Sequence, residues 1–474
     1  MNEASNLMKT RFCPSPTGNI HMGNARTALF CALLAKSQHG TLLLRIEDTD
    51  LERSKETYTN QLIKDLHWMG IDWQEGAEVG GAAGPYWQSQ RQTIYNEYYR
   101  KLEQSGLVFP CFCSTEQLAL SRKLQQAKGQ PPRYAGTCRM LTPEQIAEKV
   151  GQGMKATLRF RVPRHSLIEF DDFVKGKQRF NSNDIGDFII RREDNTATFL
   201  FCNAIDDALM EVTHVLRGED HLTNTPRQIL LLQALGFPIP QYGHISLIVG
   251  SDSSPLSKRH GSQSIKEMYT NGFLPDGVNN YLARLGHYYS ETNYMTFEQL
   301  VAGFNPTNLG KAPARFDAEQ LLYWQREAVR HISDDKFWQW LGEEVQQLIP
   351  DASHKQFITL IKPNITFPVD ALYWAKNFFS DSLIYSDEAR EILKLTGGDF
   401  FLTALKVVDE FNIDYNKLCD ILKAELHIKG KALFQPLRIA LTGTMQGPEL
   451  KEIMVLLGTH KVRQRFMQAK ELAC

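Results

Sequence analysis

The sequence contains no apolar run long enough to cross a bilayer, which excludes a protein built around membrane-spanning helices. It also lacks an excess of either charge. Its 53 lysine and arginine residues face 54 aspartates and glutamates, so no overall basic field marks a nucleic-acid-binding protein. There is no repeat of fixed period and no low-complexity tract, which excludes solenoid and disordered classes. What remains, in 474 residues of which 42% are hydrophobic, is a globular chain of about three domains.

Cysteine is scarce as well, with eight residues in the chain, which excludes a scaffold held together by disulfides. Most of the cysteines are scattered, and the exception is the group Cys111, Cys113 and Cys138, which begins with two cysteines one residue apart. The N-terminal segment has no basic stretch followed by an apolar run, so no secretory signal is predicted. The expected location is the cytoplasm, where thiols stay reduced.

Two parts of the chain alternate between strand-like and helix-like patterns, as in a doubly wound α/β fold. Between them, residues 87–199 lose this rhythm, which predicts an insertion between two halves of one nucleotide-binding fold. The predicted elements are strands at 9–13, 41–47, 211–217 and 242–249, and helices at 23–36, at 52–69 and beginning at Pro226.

From about residue 330 onward the pattern is helical. Leucines at helical spacing follow Asp414, a residue type typical of a helix N-cap. A later helix is predicted to begin at Pro448 and to end at Gly458. Residues 421–474 carry nine lysines and arginines against four glutamates, so this end of the chain is locally basic.

Residues 21–24 (HMGN) follow the first predicted strand and open a helix. A helix N-terminus presents unpaired N–H groups and a partial positive charge, which suit a phosphate. Gly23 permits close approach of the backbone, and His21 adds a donor. Taken alone, a capped turn is the more common meaning of such a segment.

Residues 255–261 (PLSKRHG) follow a strand of the second half. The ammonium group of Lys258 in this loop would contact the same phosphates as His21. Taken alone, two adjacent cations more often mark a solvated basic loop.

Together the two segments resemble the paired HIGH and KMSKS signatures of class I aminoacyl-tRNA synthetases, in the same order and across an insertion. The surrounding sequence is similar to the glutamyl-tRNA synthetase family over essentially the whole chain. The segments that carry this resemblance are 11–18 (RFCPSPTG), 45–50 (RIEDTD), 84–86 (GPY), 216–221 (LRGEDH), 256–261 (LSKRHG) and 436–443 (PLRIALTG).

The resemblance implies an α/β fold: a split Rossmann-type catalytic domain with an α+β insertion, followed by an all-α anticodon-binding region. The implied divisions are 1–86 for the first catalytic half, 87–199 for the acceptor-binding insertion, 200–251 for the second catalytic half, 252–330 for a connecting domain with the KMSKS-type loop, and 331–474 for the anticodon-binding region.

The implied reaction joins L-glutamate to ATP as glutamyl-adenylate and transfers the glutamyl group to the terminal adenosine of tRNA-Glu. The substrate carboxylate is itself the nucleophile, so catalysis rests on positioning and on charge stabilisation. The implied catalytic residues are His21 and Lys258, with Mg²⁺ on the phosphates. The residues implied to bind ATP are His21, Gly23, Asp220, His221, Leu256, Ser257 and Lys258.

Glutamate carries two carboxylates and one ammonium. Arg11 and Arg217 are natural bidentate partners for carboxylates, with Arg11 preferred for the side chain, and Glu47 is a natural partner for the ammonium. Without the family, structural salt bridging is the favoured interpretation of these three residues. The glutamate-binding positions implied by the resemblance are Arg11, Cys13, Ser15, Glu47, Phe199, Asn203 and Arg217.

Three positions depart from the family pattern. Pro255 stands where many relatives have the first lysine of the loop, and Phe199 stands where many have a tyrosine. Asn24 replaces the second histidine of the HIGH signature, a replacement common in the family.

The close cysteines have the spacing of the family's zinc-binding element. In relatives the fourth ligand is often a histidine two residues after the last cysteine, and here that residue is Met140. Three thiolates and the hydroxyl of Tyr134 would complete a tetrahedral structural zinc site. A site that has lost its metal and keeps buried thiols is an equal alternative. The predicted ligands are Cys111, Cys113, Tyr134 and Cys138.

The basic C-terminal segment is the predicted tRNA contact, because lysines and arginines neutralise phosphates. A solvated helix face is the common alternative for each cation. Within it, Gln435, Arg438 and Thr442 are predicted to contact the anticodon region. The predicted phosphate contacts are Lys429, Lys431, Arg438, Lys461, Arg463 and Arg465.

Two functional alternatives stay open. Some members of the family charge tRNA-Gln, additionally or exclusively, and supply an amidotransferase. The other alternative is a non-catalytic RNA-binding paralogue, which Pro255 and Phe199 favour and the retained His21 and Lys258 oppose. For the synthetase the expected partners are L-glutamate and tRNA-Glu, or tRNA-Gln in the first alternative; no membrane is expected, and the expected state is a monomer.

Overall fold

The computed structural model describes residues 7–50, 52–257, 260–380 and 383–474. The chain divides into two compact units. The first extends to Thr270 and includes Val278–Ala318, and the second comprises Asn271–Gly277 and Glu319–Cys474. The predicted connecting domain at 252–330 is therefore shared between the two units. In the described residues no helix has both the length and the apolar character needed to cross a membrane.

The first catalytic half contains parallel strands, which require crossover connections, and α-helices supply these connections here. β2 pairs in parallel with both β1 and β3. The second helix begins four residues later than predicted, because Asp50 holds a turn in which its carbonyl accepts from Ser54 N at 2.8 Å. The elements are β1 (Lys9–Phe12), α1 (Met22–Ser37), β2 (Thr41–Leu44), α2 (Glu56–Trp68) and β3 (Glu75–Gly76).

The insertion combines helices and strands, as the predicted α+β class implies, and its strands pair in antiparallel fashion. Strands β4, β5 and β8 form one antiparallel sheet, and β6 pairs with β7 as a separate hairpin. Its elements are α3 (Gln92–Gln104), β4 (Val108–Cys111), α4 (Thr115–Ala127), α5 (Pro143–Gly151), β5 (Thr157–Phe160), β6 (Leu167–Asp172), β7 (Gly176–Asn181), α6 (Ser182–Ile185) and β8 (Phe188–Arg191).

The second catalytic half continues the parallel pattern, since β9 and β10 pair in parallel. Its strands lie beside β1, where Thr213 N donates to Lys9 O at 3.0 Å. The carboxyl ends of β1, β2 and β9 therefore meet at one edge, where ligands bind in open α/β sheets. The elements of this half are α7 (Phe199–Leu209), β9 (His214–Gly218), α8 (Thr225–Ala234), β10 (Gln241–Ile245) and β11 (Ile248–Val249). The segment that follows contains α9 (Ile265–Thr270), α10 (Pro275–Arg284), α11 (Phe297–Gly303) and β12 (Ala314–Arg315).

The rest of the chain is helical, which confirms the predicted all-α region. Asp414 caps its helix, accepting from Lys417 N at 3.1 Å, and Gly458 interrupts the last helix with φ 72° and ψ 164°. The elements are α12 (Ala318–His331), α13 (Asp334–Leu341), α14 (Glu343–Gln346), α15 (His354–Ile361), α16 (Pro368–Phe379), α17 (Asp387–Thr396), α18 (Gly398–Phe411), α19 (Tyr415–Leu426), α20 (Lys431–Thr442) and α21 (Leu450–Ala473).

Candidate active site

One cavity of about 480 Å³ lies at the carboxyl edge of the parallel strands. It brings together eleven of the residues predicted to bind ATP or glutamate. These residues are Arg11, Cys13, Ser15, His21, Gly23, Glu47, Phe199, Asn203, Arg217, Asp220 and His221.

His21 is the N-cap of α1, and its Nδ1 accepts a hydrogen bond from Gly23 N at 3.1 Å. Burial lowers the pKa of His21. A neutral imidazole that accepts at Nδ1 carries its proton on Nε2, so Nε2–H is the donor that remains for a ligand. A Cβ on Gly23 would lie 3.1 Å from the His21 ring, so glycine also keeps this ring in place.

Arg217 lines the cavity from β9 and is held on two sides. Its Nε donates to His244 Nε2 at 3.1 Å, and its Nη2 donates to Thr225 Oγ1 at 2.8 Å and to Gln228 Oε1 at 2.7 Å. Its buried Nη1 has no hydrogen-bond partner in the described part of the chain. An unpaired buried guanidinium N–H costs free energy, so this atom marks a place for an anionic ligand.

Glu47 follows β2 and is buried beside Arg45. Arg45 Nη2 and Asn203 Nδ2 both donate to the same oxygen, Oε1, at 3.1 and 2.7 Å. Burial raises the pKa of Glu47, although the nearby Arg45 opposes this shift. Asn203 is oriented in turn by Gln228, whose Nε2 donates to its Oδ1 at 2.8 Å. Oε2 of Glu47 accepts no hydrogen bond within the described ranges and is left for a cationic ligand.

Arg11 is paired with Asp207, an aspartate that is not among the predicted site residues. Its Nε lies 3.3 Å from both carboxylate oxygens of Asp207, and Arg45 Nη1 donates to the same carboxylate at 2.8 Å. Burial would raise the pKa of Asp207, but the guanidinium groups of Arg11 and Arg45 hold it below its usual value. No hydrogen bond involves Nη1 of Arg11 among the described residues, so this arginine retains a donor beyond its structural pair.

A second missed aspartate supports this cluster. Asp206 is fully buried, and it accepts from Arg91 Nε at 2.7 Å, from Gln88 Nε2 at 2.9 Å and from the hydroxyl of Tyr95 at 2.8 Å. Two adjacent acidic residues in a mostly apolar helix are a local signal of buried carboxylates, which need cationic or hydrogen-bonding partners, but this signal does not show which residues those partners are.

The remaining lining residues shape the cavity. Phe199 packs on His221, with ring centroids 5.2 Å apart. Burial and the nearby Arg217 lower the pKa of His221 to about 4, so its imidazole is neutral near pH 7. Burial raises the pKa of the Cys13 thiol to about 11, which excludes a thiolate at neutral pH. Ser15 is exposed at the cavity's edge.

The structure does not bring the whole KMSKS-type loop into the cavity. Leu256 and Ser257 lie outside its lining, and Lys258 lies outside the described residues. The loop is nevertheless joined to the cavity wall, because Leu256 N donates to Ile248 O at 3.0 Å and Ile248 lines the cavity. Pro255 forms an isolated antiparallel bridge with Val249, a pairing that uses no proline N–H.

Comparison with known proteins decides the family. Residues 7–323 match the family described as tRNA synthetases class I (E and Q), catalytic domain, and residues 335–470 match the anticodon binding domain. The chain is 53% identical over 463 residues to glutamate–tRNA ligase 2 of Coxiella burnetii (strain RSA 331 / Henzerling II), which covers 98% of this chain and 100% of that protein. The chain belongs to the glutamate–tRNA ligase family. The predicted family resemblance and fold class are thereby confirmed.

Other relatives agree with this assignment. Glutamate–tRNA ligase 2 of Nitrosococcus oceani is 53% identical over 459 residues, with 97% of each chain covered. A crystal structure of a glutamate tRNA ligase from Elizabethkingia meningosepticum, in complex with its amino acid, superposes with a TM-score of 0.88 at 26% identity, covering 98% of this chain and 99% of that one.

In this family member the predicted metal-binding residues lie together at the end of β4. The sulfur atoms of Cys111, Cys113 and Cys138 all lie within 4.8 Å of one another, and those of Cys113 and Cys138 are 3.7 Å apart. The Tyr134 hydroxyl lies 3.4 Å from Cys111 Sγ and 3.8 Å from Cys113 Sγ. A tetrahedron with Zn–S bonds of about 2.3 Å has edges of about 3.8 Å, so these atoms fit zinc. Met140, which occupies the position where relatives often have a histidine ligand, is 82% exposed.

The predicted anticodon contacts lie on α20, but they differ in accessibility. Gln435 and Arg438 are half-buried, and Arg438 Nη1 donates to Pro448 O at 2.6 Å. Thr442 is fully buried and donates to Arg438 O at 2.7 Å, so the structure places it in the helical core rather than on the predicted contact surface.

Three of the predicted phosphate contacts also have structural partners. Arg465 is buried and donates to the carbonyls of Leu441 and Asn377, which closes the ends of neighbouring helices. Arg463 Nε donates to Asp409 at 2.8 Å, and Lys461 Nζ donates to a backbone carbonyl at 3.2 Å. The burial of Arg465 differs from the predicted phosphate contact, because a charge pattern does not reveal which way a side chain points. Lys429 and Lys431 are exposed.

Proposed function

We propose that this protein activates L-glutamate with ATP and transfers the glutamyl group to the 3′-terminal adenosine of tRNA-Glu. The observation that carries the proposal is the unpaired, buried Nη1 of Arg217 in the same cavity as the carboxylate of Glu47. These two groups are complementary to an amino acid that bears both an ammonium and carboxylates.

The two arginines and Glu47 are complementary to the three charged groups of glutamate. Glu47 Oε2 binds the ammonium, because Oε1 is already used by Arg45 and Asn203. Arg11 and Arg217 bind the carboxylates, with Arg11 preferred for the side chain, since a guanidinium matches the geometry of a carboxylate. Cys13, Ser15 and Phe199 complete the pocket walls. Phe199, which has no hydroxyl group, stands in place of a phenol and leaves recognition to these charged groups.

Activation forms a bond between the substrate α-carboxylate oxygen and the α-phosphorus of ATP, while the bond from that phosphorus to pyrophosphate breaks. The transition state carries extra charge on the phosphoryl oxygens, which preorganised donors stabilise. His21 Nε2–H is positioned for this role, with Lys258 as the second catalytic residue. The proposed ATP contacts are His21, Gly23, Asp220, His221, Leu256, Ser257 and Lys258.

Use of ATP and Mg²⁺ is general in this family. The described residues contain one cluster of three metal-ligating groups, the three cysteines. Mg²⁺ would therefore be held chiefly by the ATP phosphates, where it neutralises charge on the leaving pyrophosphate.

We also propose that Cys111, Cys113, Tyr134 and Cys138 hold one structural zinc ion. Metal analysis of the purified protein is expected to give about one zinc per chain, because three thiolates and one phenol oxygen complete a tetrahedron. The Cys113→Ser variant should lose the metal and unfold at lower temperature, whereas Cys474→Ser at the exposed C-terminus should keep it. Absence of zinc from protein purified without chelators would overturn this site.

The proposed substrate is tested by pyrophosphate exchange into ATP with tRNA-Glu present. Glutamate is expected to support exchange, whereas glutamine should support far less, because its neutral amide does not satisfy a buried guanidinium and such a mismatch costs about 10⁴-fold or more in discrimination. Exchange with glutamine equal to that with glutamate would contradict the pocket assignment. Absence of exchange with either amino acid would favour the non-catalytic paralogue.

A further inference from the structure

A buried chain of hydrogen bonds connects the insertion to Arg217. Asp172 ends β6 of the insertion, and its Oδ2 lies 2.5 Å from His244 Nδ1. His244 lies on β10 opposite Arg217 on β9 in the parallel register, and its Nε2 accepts from Arg217 Nε at 3.1 Å. Asp172 and His244 are both buried, with no exposed side-chain area.

The carboxylate fixes the tautomer of the imidazole. Because Asp172 accepts from Nδ1–H, the neutral His244 ring has an unprotonated Nε2, which is the acceptor that Arg217 requires. Burial lowers the pKa of His244 below its ordinary value, although Asp172 opposes this shift, so the ring is neutral. The opposite tautomer would place an N–H against the N–H of Arg217.

Asp172 is itself held firmly. Its Oδ1 accepts from the backbone N–H groups of Val174 at 2.9 Å, of Lys175 at 2.7 Å and of His244 at 3.2 Å. The turn after Asp172 packs against β10 at Gly243, where a Cβ would lie 2.2 Å from the ring of Phe173. The β6–β7 turn therefore fits closely against the strand that carries His244.

We infer that Asp172 and His244 are positioning residues that hold the guanidinium of Arg217 in the orientation that binds glutamate, and that the insertion thereby sets the amino-acid affinity of the cavity. This inference rests on the proposed function. Neither residue lines the cavity, so each acts through Arg217. The proposed ATP-binding residues do not belong to the series of hydrogen bonds from Asp172 through His244 to Arg217. A change in this series is therefore expected to alter the affinity for glutamate and not that for ATP.

Two substitutions of His244 separate its roles. The amide nitrogen of asparagine lies near the Nδ1 position, so His244→Asn keeps the donor to Asp172 and loses the acceptor for Arg217. The amide of glutamine lies near the Nε2 position, so His244→Gln keeps that acceptor and loses the donor. If the role is to orient Arg217, His244→Gln retains more function; if the role is only to anchor the insertion, His244→Asn retains more.

The test measures KM for glutamate and for ATP in pyrophosphate exchange with tRNA-Glu, together with thermal unfolding. His244→Asn and Asp172→Asn are expected to raise KM for glutamate about tenfold or more, as for loss of a hydrogen bond to a charged group. KM for ATP should stay unchanged, and His244→Gln should be less impaired than His244→Asn. Asp171→Asn, an exposed neighbour with the same change of charge, serves as the matched control.

Wild-type activity with glutamate tests the proposed function independently of these variants. With an active wild type, the inference is overturned if His244→Asn leaves KM for glutamate unchanged, if it is less impaired than His244→Gln, or if KM for ATP rises in parallel. Should Asp172→Asn fail to fold, the comparison of the two His244 variants decides the question. Should those fail as well, Thr225→Val, which removes the hydroxyl between His244 and Arg217, must raise KM for glutamate selectively or the inference is wrong.

Discussion

The His21→Ala variant is expected to activate glutamate about 10²–10³-fold more slowly than the wild type, as on removal of one preorganised donor from a developing charge. The donor is Nε2–H, because Nδ1 is occupied by Gly23 N. The same change removes the N-cap of α1, with an expected stability cost of about 1 kcal/mol. Single-turnover adenylate formation measures the first effect, and thermal unfolding measures the second.

Two further variants of His21 separate these effects. His21→Asn retains a cap acceptor for Gly23 N but has no donor at the Nε2 position. His21→Gln places an amide N–H near that position. We expect asparagine to restore stability without activity, and glutamine to restore part of the activity. Full activity of His21→Asn would show that the imidazole serves only as a helix cap.

The Asp206→Asn variant is expected to lower the free energy of unfolding by about 3–5 kcal/mol, as when one partner of a buried ion pair is removed. Asp206 accepts hydrogen bonds from Arg91, Gln88 and Tyr95. Asparagine keeps the shape but leaves the buried guanidinium of Arg91 without an anion. Urea unfolding followed by tryptophan fluorescence measures the loss.

Asp171→Asn is the control for this variant as well, because Asp171 is exposed. Its stability should change by no more than about 0.5 kcal/mol, as for most surface substitutions. A loss below about 1 kcal/mol for Asp206→Asn would mean that Arg91 is satisfied in another way.

The resemblance to the family, rather than the residue pattern alone, predicts a role for the candidate site residues that lie near strand ends. Arg11, Glu47 and Arg217 come from β1, from the segment after β2 and from β9, and parallel strands bring their carboxyl ends to one edge. His21 was placed at a helix start by its glycine and by the apolar spacing that follows. Local pattern and sheet topology predict where such residues lie, but their roles rest on the family resemblance, since salt bridging and a capped turn are the favoured interpretations of the residues taken alone.

The residues that support the site were not predictable in the same way. Asp207 contacts a residue 196 positions away, and Asp172 contacts one 72 positions away, so neither pairing leaves a local pattern. Thr442 and Arg465 show the reverse case: the family stretch predicted an RNA contact for Thr442 and the basic segment predicted one for Arg465, whereas the helical packing buries both. Long-range packing decides these cases, and a single sequence does not record it.

Glutamylation of purified tRNA-Glu and tRNA-Gln transcripts, with ATP and Mg²⁺, tests the central claim most directly. The account predicts that glutamate is attached to tRNA-Glu and that the Arg217→Ala variant loses this activity. Charging of tRNA-Gln as well would extend the substrate range to the indirect route to Gln-tRNA without changing the site. If neither transcript is charged, although a verified synthetase charges both, the assignment of this cavity to glutamate activation is contradicted.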